Sequence, residues 1–368
     1  MIHKKRIILT GGGTAGHVWP LLAVAMELMK KPVDLFYVGE KGGVEEALAK
    51  SAGISFYGIK TGKWRRYFSL RNFGDLFWEK IGFLQSLYFL GKLKPALVFA
   101  KGGFVSLPLV LAAGIKKIPL VIHESDSVLG LVNRLSARWA KKIFVSWPKE
   151  NFPQKYAAKI IETGNPLRSI FLVKKNPARS FFELPAENKP VLLVMGGSLG
   201  ASQINRLMAE LALKLLPKYQ LIHLAGKKDL EWLLEERRRL PALLAKHWSL
   251  FGFLDKEIVD AYQMADLVIS RAGAGALAEI AQMAKPSILI PLPSAAANHQ
   301  AKNAQLFAQN NAAEVLPGEN ISSQKLFKEI EGLLQSPLTL ARMSKAAKAQ
   351  AKPKAAEEAA EEIWKILG

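Results

Sequence analysis

Short apolar runs alternate with helix-length amphipathic stretches along most of the chain. "RIILT", residues 6 to 10, is an apolar run stopped by glycines and predicts a short buried strand. "PLLAVAMELMK" from Pro20 carries apolar residues at helical spacing, with proline in its first turn, and predicts a helix. The succession then repeats. "KRIILTGGGTAGH" has a counterpart in "KPVLLVMGGSLGA", residues 189 to 201. "PALVFAKGGFVSLPLVLAAGIKKIPLVIHE", residues 95 to 124, parallels "ADLVISRAGAGALAEIAQMAKPSILIPLP", residues 265 to 293. Strands alternating with crossover helices predict parallel sheets. The repetition predicts an α/β protein of two facing, doubly wound, Rossmann-like domains with a cleft between them. Its glycine turns fall at the carboxyl ends of strands, where such sheets bind ligands.

The pattern breaks in "TGNPLRSIFLVKKNPARSFFELPAENKP", rich in Pro and Asn, which sets expected domains at 1–163 and 164–339. The Ala-rich tail predicts a terminal helix over about 340–368 that packs back toward the first domain, with Pro353 breaking or kinking it.

A length of 368 residues suits two domains of roughly 150–200 residues each. The chain has no cysteine, which excludes disulfides, thiolate nucleophiles and Cys-based metal sites and fits a reducing cytoplasm. "MIHKKRIILT" runs straight into a glycine loop and reads as a first strand, not a signal peptide. No apolar stretch is long enough to predict a transmembrane helix. A net charge of +20 points to an anionic partner: nucleic acid, acidic lipid or a phosphorylated substrate.

"LTGGGTAGHVWP", residues 9 to 20, puts bare backbone immediately before a helix and an imidazole at its mouth. Glycines there let N–H groups approach an anion at the helix's positive end, although a tight turn without ligand fits the same residues. A two-domain NAD-dependent oxidoreductase is the competing reading. It is set aside here because "GGGTAGH" fits the G-x-G-x-x-G fingerprint poorly, the third glycine's place falling to His17 or Ala15, and because no acidic residue is recognised at the end of a second strand about 20 residues on.

Six stretches occur in order: "GGGTAGHVWPLLAVA", "KGGFVSLP", "HESDSVLGLVNR", "GNPLR", "GGSLGA" and "SRAGAGALAEIA" with "PSILIPLP" and "NHQAKNA" after it. Together, from about residue 6 to about residue 315, they resemble the MurG family, the peptidoglycan UDP-N-acetylglucosamine transferases that make lipid II. The resemblance implies a GT-B fold, an inverting mechanism, UDP-GlcNAc as donor, undecaprenyl-linked lipid I as acceptor, and neither cofactor nor tightly bound metal. It assigns donor binding to Thr14, Ala15 and Gly16, where Ala15 replaces the family's usual glycine and requires a negative φ. Ser198 matches a phosphate-contacting serine, and Leu199 stands where the family more often has glutamine. Arg168 matches a donor-binding arginine near the linker. Leu254 lies where backbone groups read uracil. Ala274, Gly275, Ala276, Leu277 and Ala278 form another loop and helix start, and Glu279 matches the carboxylate for the ribose hydroxyls. Gln300 and Asn303 fall where side chains hold the GlcNAc hydroxyls. Plainer roles fit some of the same residues. Ser198 can be an N-cap, Arg168 a linker anchor, and Glu279 an exposed helix residue.

Transfer needs a base for the acceptor hydroxyl and dipoles for the leaving diphosphate. His17, Glu124 and Asp126 are the candidates for catalysis, Asp126 standing where relatives commonly have asparagine and also able to bind donor hydroxyls. His17 at a helix N-terminus can instead donate to phosphate. No Asp-x-Asp pair occurs to hold a metal on a sugar diphosphate.

Residues 63 to 94 hold nine of the 33 aromatic residues and seven Lys or Arg against two acids. With a sugar-nucleotide cleft expected and no RNA-binding signature, nucleic acid is not the expected partner. Trp64, Arg65, Arg66, Phe77 and Trp78 are expected to hold the first domain on an anionic membrane surface, at the cytoplasmic face of the inner membrane. Part of the stretch must also pack as a buried amphipathic helix. Cell-wall synthesis proteins are further expected partners. A related glycolipid synthase with another lipid acceptor, or a non-catalytic binding module, remain the alternatives.

Overall fold

The computed structural model describes residues 4–62, 71–173, 176–197, 200–293, 298–319 and 321–368. Trp64, Arg65, Arg66 and Ser198 lie outside them. The chain divides into two compact units, Met1–Arg168 with Lys352–Gly368, and Ser169–Ala351.

In the first unit, seven strands make one sheet: β1 (Lys5–Thr10), β2 (Val33–Glu40), β3 (Ser55–Ile59), β4 (Leu97–Ala100), β5 (Leu120–Glu124), β6 (Lys142–Val145) and β7 (Ile160–Glu162). Their order is β3-β2-β1-β4-β5-β6-β7, all parallel. The crossovers are α1 (Ala15–Leu28), α2 (Val44–Ser51), α3 (Arg71–Leu93), α4 (Leu107–Ile115) and α5 (Leu131–Ser136). A parallel sheet is covered on both faces, so the central stretches of its strands are mostly apolar. Ile7, Leu9, Phe99 and Val121 pack under Val18, Leu21 and Ala25 of α1, while Ile8, Val98 and Ile122 meet Leu90 of α3 and Leu109 and Ala113 of α4. His123 and Glu124 are therefore exceptions inside an otherwise apolar β5.

The second unit repeats the winding with β8 (Val191–Met195), β9 (Gln220–Leu224), β10 (Trp248–Phe251), β11 (Leu267–Ser270), β12 (Ser287–Leu289) and β13 (Glu314–Val315), ordered β10-β9-β8-β11-β12-β13. Its helices are α6 (Ser202–Leu215), α7 (Leu230–Arg238), α8 (Ala242–Ala245), α9 (Ile258–Met264), α10 (Ala274–Gln282), α11 (His299–Gln309), α12 (Ser323–Leu334) and α13 (Pro337–Ala349). The last helix, α14 (Ala355–Leu367), buries Ala356, Ala359, Ala360 and Ile363 in the core of the first unit, against α1.

Two boundaries differ from the sequence expectation. Residues 163–168 stay with the first sheet, because Thr163 and Gly164 donate to Val145 O and the Arg168 guanidinium lies 4.7 Å from the Trp19 ring centre. The tail is two helices and not one, with Pro353 in the gap between them. Only α14 lies in the first unit; α13 packs on α10 and α12 of the second.

A buried histidine sets a pH limit on the second unit. His223 on β9 is fully buried, with Nε2 2.9 Å from Asn205 Oδ1 and Nδ1 without a partner. Asn205 Nδ2 donates to Asp229 Oδ2 and Ala225 O, so Oδ1 is the acceptor and Nε2 carries the proton. Burial pulls His223 down to about 3. Between that value and the unfolded one near 6.5, the unfolded chain binds a proton that the folded chain refuses, so stability falls as pH drops through this window. The loss approaches about 4 kcal/mol at the acid end. Urea titrations from pH 7 to pH 4 should show a falling midpoint, and His223→Gln should flatten the trend. An equally steep trend in that variant would remove His223 as its source.

Candidate functional site

In the first unit the chain leaves β1 at Thr10, and Gly13 turns it with φ +84°, a backbone that side chains rarely adopt. Thr14 caps α1 with extended backbone, and its Oγ1 lies 3.1 Å from His17 Nδ1, while His17 N–H donates to Thr14 O. Ala15 opens the helix outside the positive-φ residues, so its methyl costs no strain. Gly16 is exposed, and His17 is half-buried at the mouth. Two sequence arguments against a dinucleotide fail here. Gly11-x-Gly13-x-x-Gly16 has dinucleotide spacing, and β2 ends on an acid, Glu40, so neither feature excludes a dinucleotide.

A second group gathers at the ends of β4 and β5. Lys101 is buried; its Nζ donates to Ser125 Oγ, which donates to Asn165 Oδ1 at 2.6 Å. Burial pulls the Lys101 ammonium down to about 8, against the opposing pull of Glu124 and Asp126. Burial and then Asp126 raise the Glu124 carboxyl, against Lys101 and the N–H groups bound to it. Those donors are Asp126 N at 3.0 Å, Gly130 N at 2.8 Å and Asn133 Nδ2 at 2.9 Å. Glu124 is thus spent on shaping the loop that presents half-buried Asp126. His123 is fully buried, and its Nε2 lies 2.9 Å from Gly164 O. Burial and Lys101 hold it well below its usual range, so it stays neutral with the proton on Nε2.

In the second unit, Gly200 presses the glycine turn after β8 against Ala225 O, only 2.5 Å from where a Cβ would stand. Leu254 is buried on the loop after β10, so only its backbone is offered. Arg271 directly follows β11 and is buried; it donates to the carbonyls of Ile290 and Pro291 and to Gln203 Oε1 at the start of α6. Ala274–Ala278 form the first turns of α10, where Leu277 is buried and the first turn itself carries no acidic residue. One turn later Glu279 accepts from Tyr262 OH at 3.1 Å. Gln300 Oε1 accepts from Leu292 N at 2.9 Å, and buried Asn303 donates to Ala272 O at 3.3 Å.

These loops coincide with a known pair of domains. The profile of the glycosyltransferase family 28 N-terminal domain matches residues 7–145, and that of its C-terminal domain matches residues 191–359. The chain belongs to glycosyltransferase family 28. Within family 28 it is 38% identical to a Bacillus cereus protein over 90% of this chain and 92% of that one. It is 36% identical to a Clostridium tetani protein over 90% and 91%. Both are named UDP-N-acetylglucosamine–N-acetylmuramyl-(pentapeptide) pyrophosphoryl-undecaprenol N-acetylglucosamine transferase. Among solved structures, MurG of Acinetobacter baumannii matches with TM-score 0.75 and 27% identity over 98% of this chain and 99% of that one. A UDP-GlcNAc 2-epimerase from Neisseria meningitidis bound to UDP-GlcNAc shares the fold alone, with TM-score 0.71 and 16% identity over 98% and 100%. The fold class is GT-B, as its family 28 neighbours have it.

The structure therefore brings Thr14, Ala15, Gly16 and His17 to one loop, Glu124 and Asp126 to another, and Arg168 against Trp19 of α1. Leu254, the start of α10, Glu279, Gln300 and Asn303 all follow strands of the second sheet. Sequence reasoning passed over Lys101 and Arg271. Their signal was positional, for each is a cation directly after the strand that adjoins the first strand of its sheet.

The Glu279 contacts generate a donor test. Glu279→Ala should weaken UDP-GlcNAc binding by roughly 1–3 kcal/mol in calorimetry, and Tyr262→Phe by about 0.5–1.5 kcal/mol. Unaltered affinity in folded Glu279→Ala would take this carboxylate out of the site.

Proposed function

We infer that the chain transfers GlcNAc from UDP-GlcNAc to the MurNAc 4-hydroxyl of undecaprenyl-pyrophosphoryl-MurNAc-pentapeptide, releasing UDP and lipid II for peptidoglycan synthesis. The observation that carries this reading is the identity of 36–38%, across 90% of the chain, with proteins named for that transfer.

The donor is held chiefly by the second unit. Ser198 and the N–H groups opening α10 take the diphosphate, the backbone at Leu254 reads uracil, and Glu279 accepts from the ribose hydroxyls. Gln300, whose Oε1 is engaged, offers its NH2 to the GlcNAc hydroxyls. Asn303 supports the site by bonding Ala272 O. Arg271 places a buried positive charge beside the start of α6, and Arg168 with Thr14, Ala15 and Gly16 completes the donor contacts. Diphosphate charge is met by helix ends and cations.

The acceptor oxygen attacks the anomeric carbon from the face opposite the diphosphate. The C1–O bond to UDP breaks with its electron pair, and the configuration inverts. His17 is the base when its Nδ1–H donates to Thr14 Oγ1, because Nε2 then keeps a lone pair for the hydroxyl proton. Asp126 is the second candidate, and Glu124 acts by shaping the Asp126 loop.

Membrane contact has its own support on α3, where Phe77 and Tyr88 are 58% and 63% exposed and Trp78 and Leu84 stand out beside them. Lys60 lies 5.1 Å from the Trp78 ring centre and Lys92 6.0 Å from that of Tyr88. Aromatics beside basic groups suit an anionic interface. No helix among the described residues is long and apolar enough to cross a membrane. The reading is peripheral attachment at the cytoplasmic leaflet.

Transfer to a short-chain lipid I analogue, assayed in EDTA, tests the function; no transfer by the parent chain would overturn it. His17→Ala should lower kcat by about 10²–10⁴-fold, and near-parental turnover would pass the base to Asp126. Replacing Phe77, Trp78 and Tyr88 together by serine should release the protein from anionic liposomes and spare activity on the soluble acceptor. Retained liposome binding would return α3 to a packing role.

A further inference from the structure

Glu45 is a fully buried carboxylate on α2, whose next residue, Glu46, pairs with Lys50 at the surface. A buried carboxylate is costly unless N–H groups surround it. Here three elements supply them. Oε1 accepts from Glu40 N at the end of β2 at 3.0 Å, and Oε2 from Gly13 N in the first glycine loop at 3.4 Å. The residue's own N–H, in the first turn of α2, also bonds the carboxylate. The fit leaves no spare room. A Cβ on Gly12 would stand 2.5 Å from the carboxylate, and one on Gly43 2.7 Å. On the same side Tyr37 OH donates to Gly11 O at 2.5 Å. The loop is therefore gripped at Gly11 by a donor and at Gly13 by an acceptor. The charged and titratable groups around the carboxylate are Glu40 and Tyr37.

We propose that Glu45 is the resident anion of the first glycine loop: it occupies the place of a phosphate at Gly12–Gly13 and fixes Thr14 to His17 in the transfer geometry. An N–H turned to Glu45 is not available to a ligand, and a phosphate brought to Gly12–Gly13 would meet a like charge. Dinucleotide spacing here serves a protein carboxylate, and on the reading above the donor's diphosphate falls to the loops of the other unit. Glu45 is a positioning residue, and its role rests on the transferase reading above.

Glu45→Gln keeps the volume and removes the charge; Glu45→Ala removes both. Each should lower kcat by 10–100-fold while the Kd of UDP, by calorimetry, stays within twofold of the parent's. Formate at 100 mM, about the level needed to fill a weak anion hole, should raise kcat of the alanine variant at least fivefold and leave the glutamine variant unmoved. The proposal is overturned by kcat within twofold of the parent in either variant, by a UDP Kd rising in step with the lost turnover, or by formate without effect on the alanine variant. Should that variant not fold, the kcat-against-Kd split in Glu45→Gln decides. A parent without transfer activity refutes the transferase reading; an active parent with an equally active Glu45→Gln refutes this one.

Discussion

Each sheet is wound outward in both directions from its first strand, β1 or β8, so the carboxyl ends of β1 and β4, and of β8 and β11, flank the point where the winding reverses. Crossover helices leave in opposite directions there and cannot cover it. Chain that returns across this gap must be short and close-fitting, which is why glycine turns follow β1 and β8. The rest of each unit serves to keep these ends in register. Apolar strands are covered on both faces, and α14 adds a layer to the first unit from the far end of the chain.

Polar groups placed at such ends are buried, and burial decides their chemistry. Glu124 and Lys101 share one neighbourhood: burial raises the first and lowers the second, and each partly restores the other's charge. His123 beside them is kept neutral. The outcome is a fixed scaffold of hydrogen bonds under Asp126. The Glu124 carboxylate accepts from two backbone N–H groups and the Asn133 amide, so its oxygens are engaged in holding the loop that carries Asp126.

The alternation of strands and helices was legible because periodicity and glycine turns are local features, and the paired repeats mark equivalent places in the two sheets. So were the loops after β1, β8 and β11. What escaped depends on contacts between distant segments. "GGVEEALAK" offers two adjacent glutamates with the same local surroundings, yet Glu46 meets Lys50 in solvent and Glu45 lies under a loop more than thirty residues earlier. Nothing in the spacing tells them apart. The tail shows the same limit. Pro353 announces a break, but the partition of α13 and α14 between units depends on which apolar face finds a partner.

The two units treat equivalent positions differently. Lys101 after β4 and Arg271 after β11 are both buried cations beside the first strand's turn. Lys101 has carboxylates around it, Glu124 and Asp126, and Glu45 adds another under the neighbouring glycine loop. The hydrogen bonds of Arg271 among the described residues go to neutral oxygens, two carbonyls and the Gln203 amide. A buried cation answered only by dipoles favours an incoming anion, whereas one enclosed by carboxylates does not. The same winding thus produces one loop set with carboxylates built in around its cation and another whose buried cation meets neutral oxygens among the described residues.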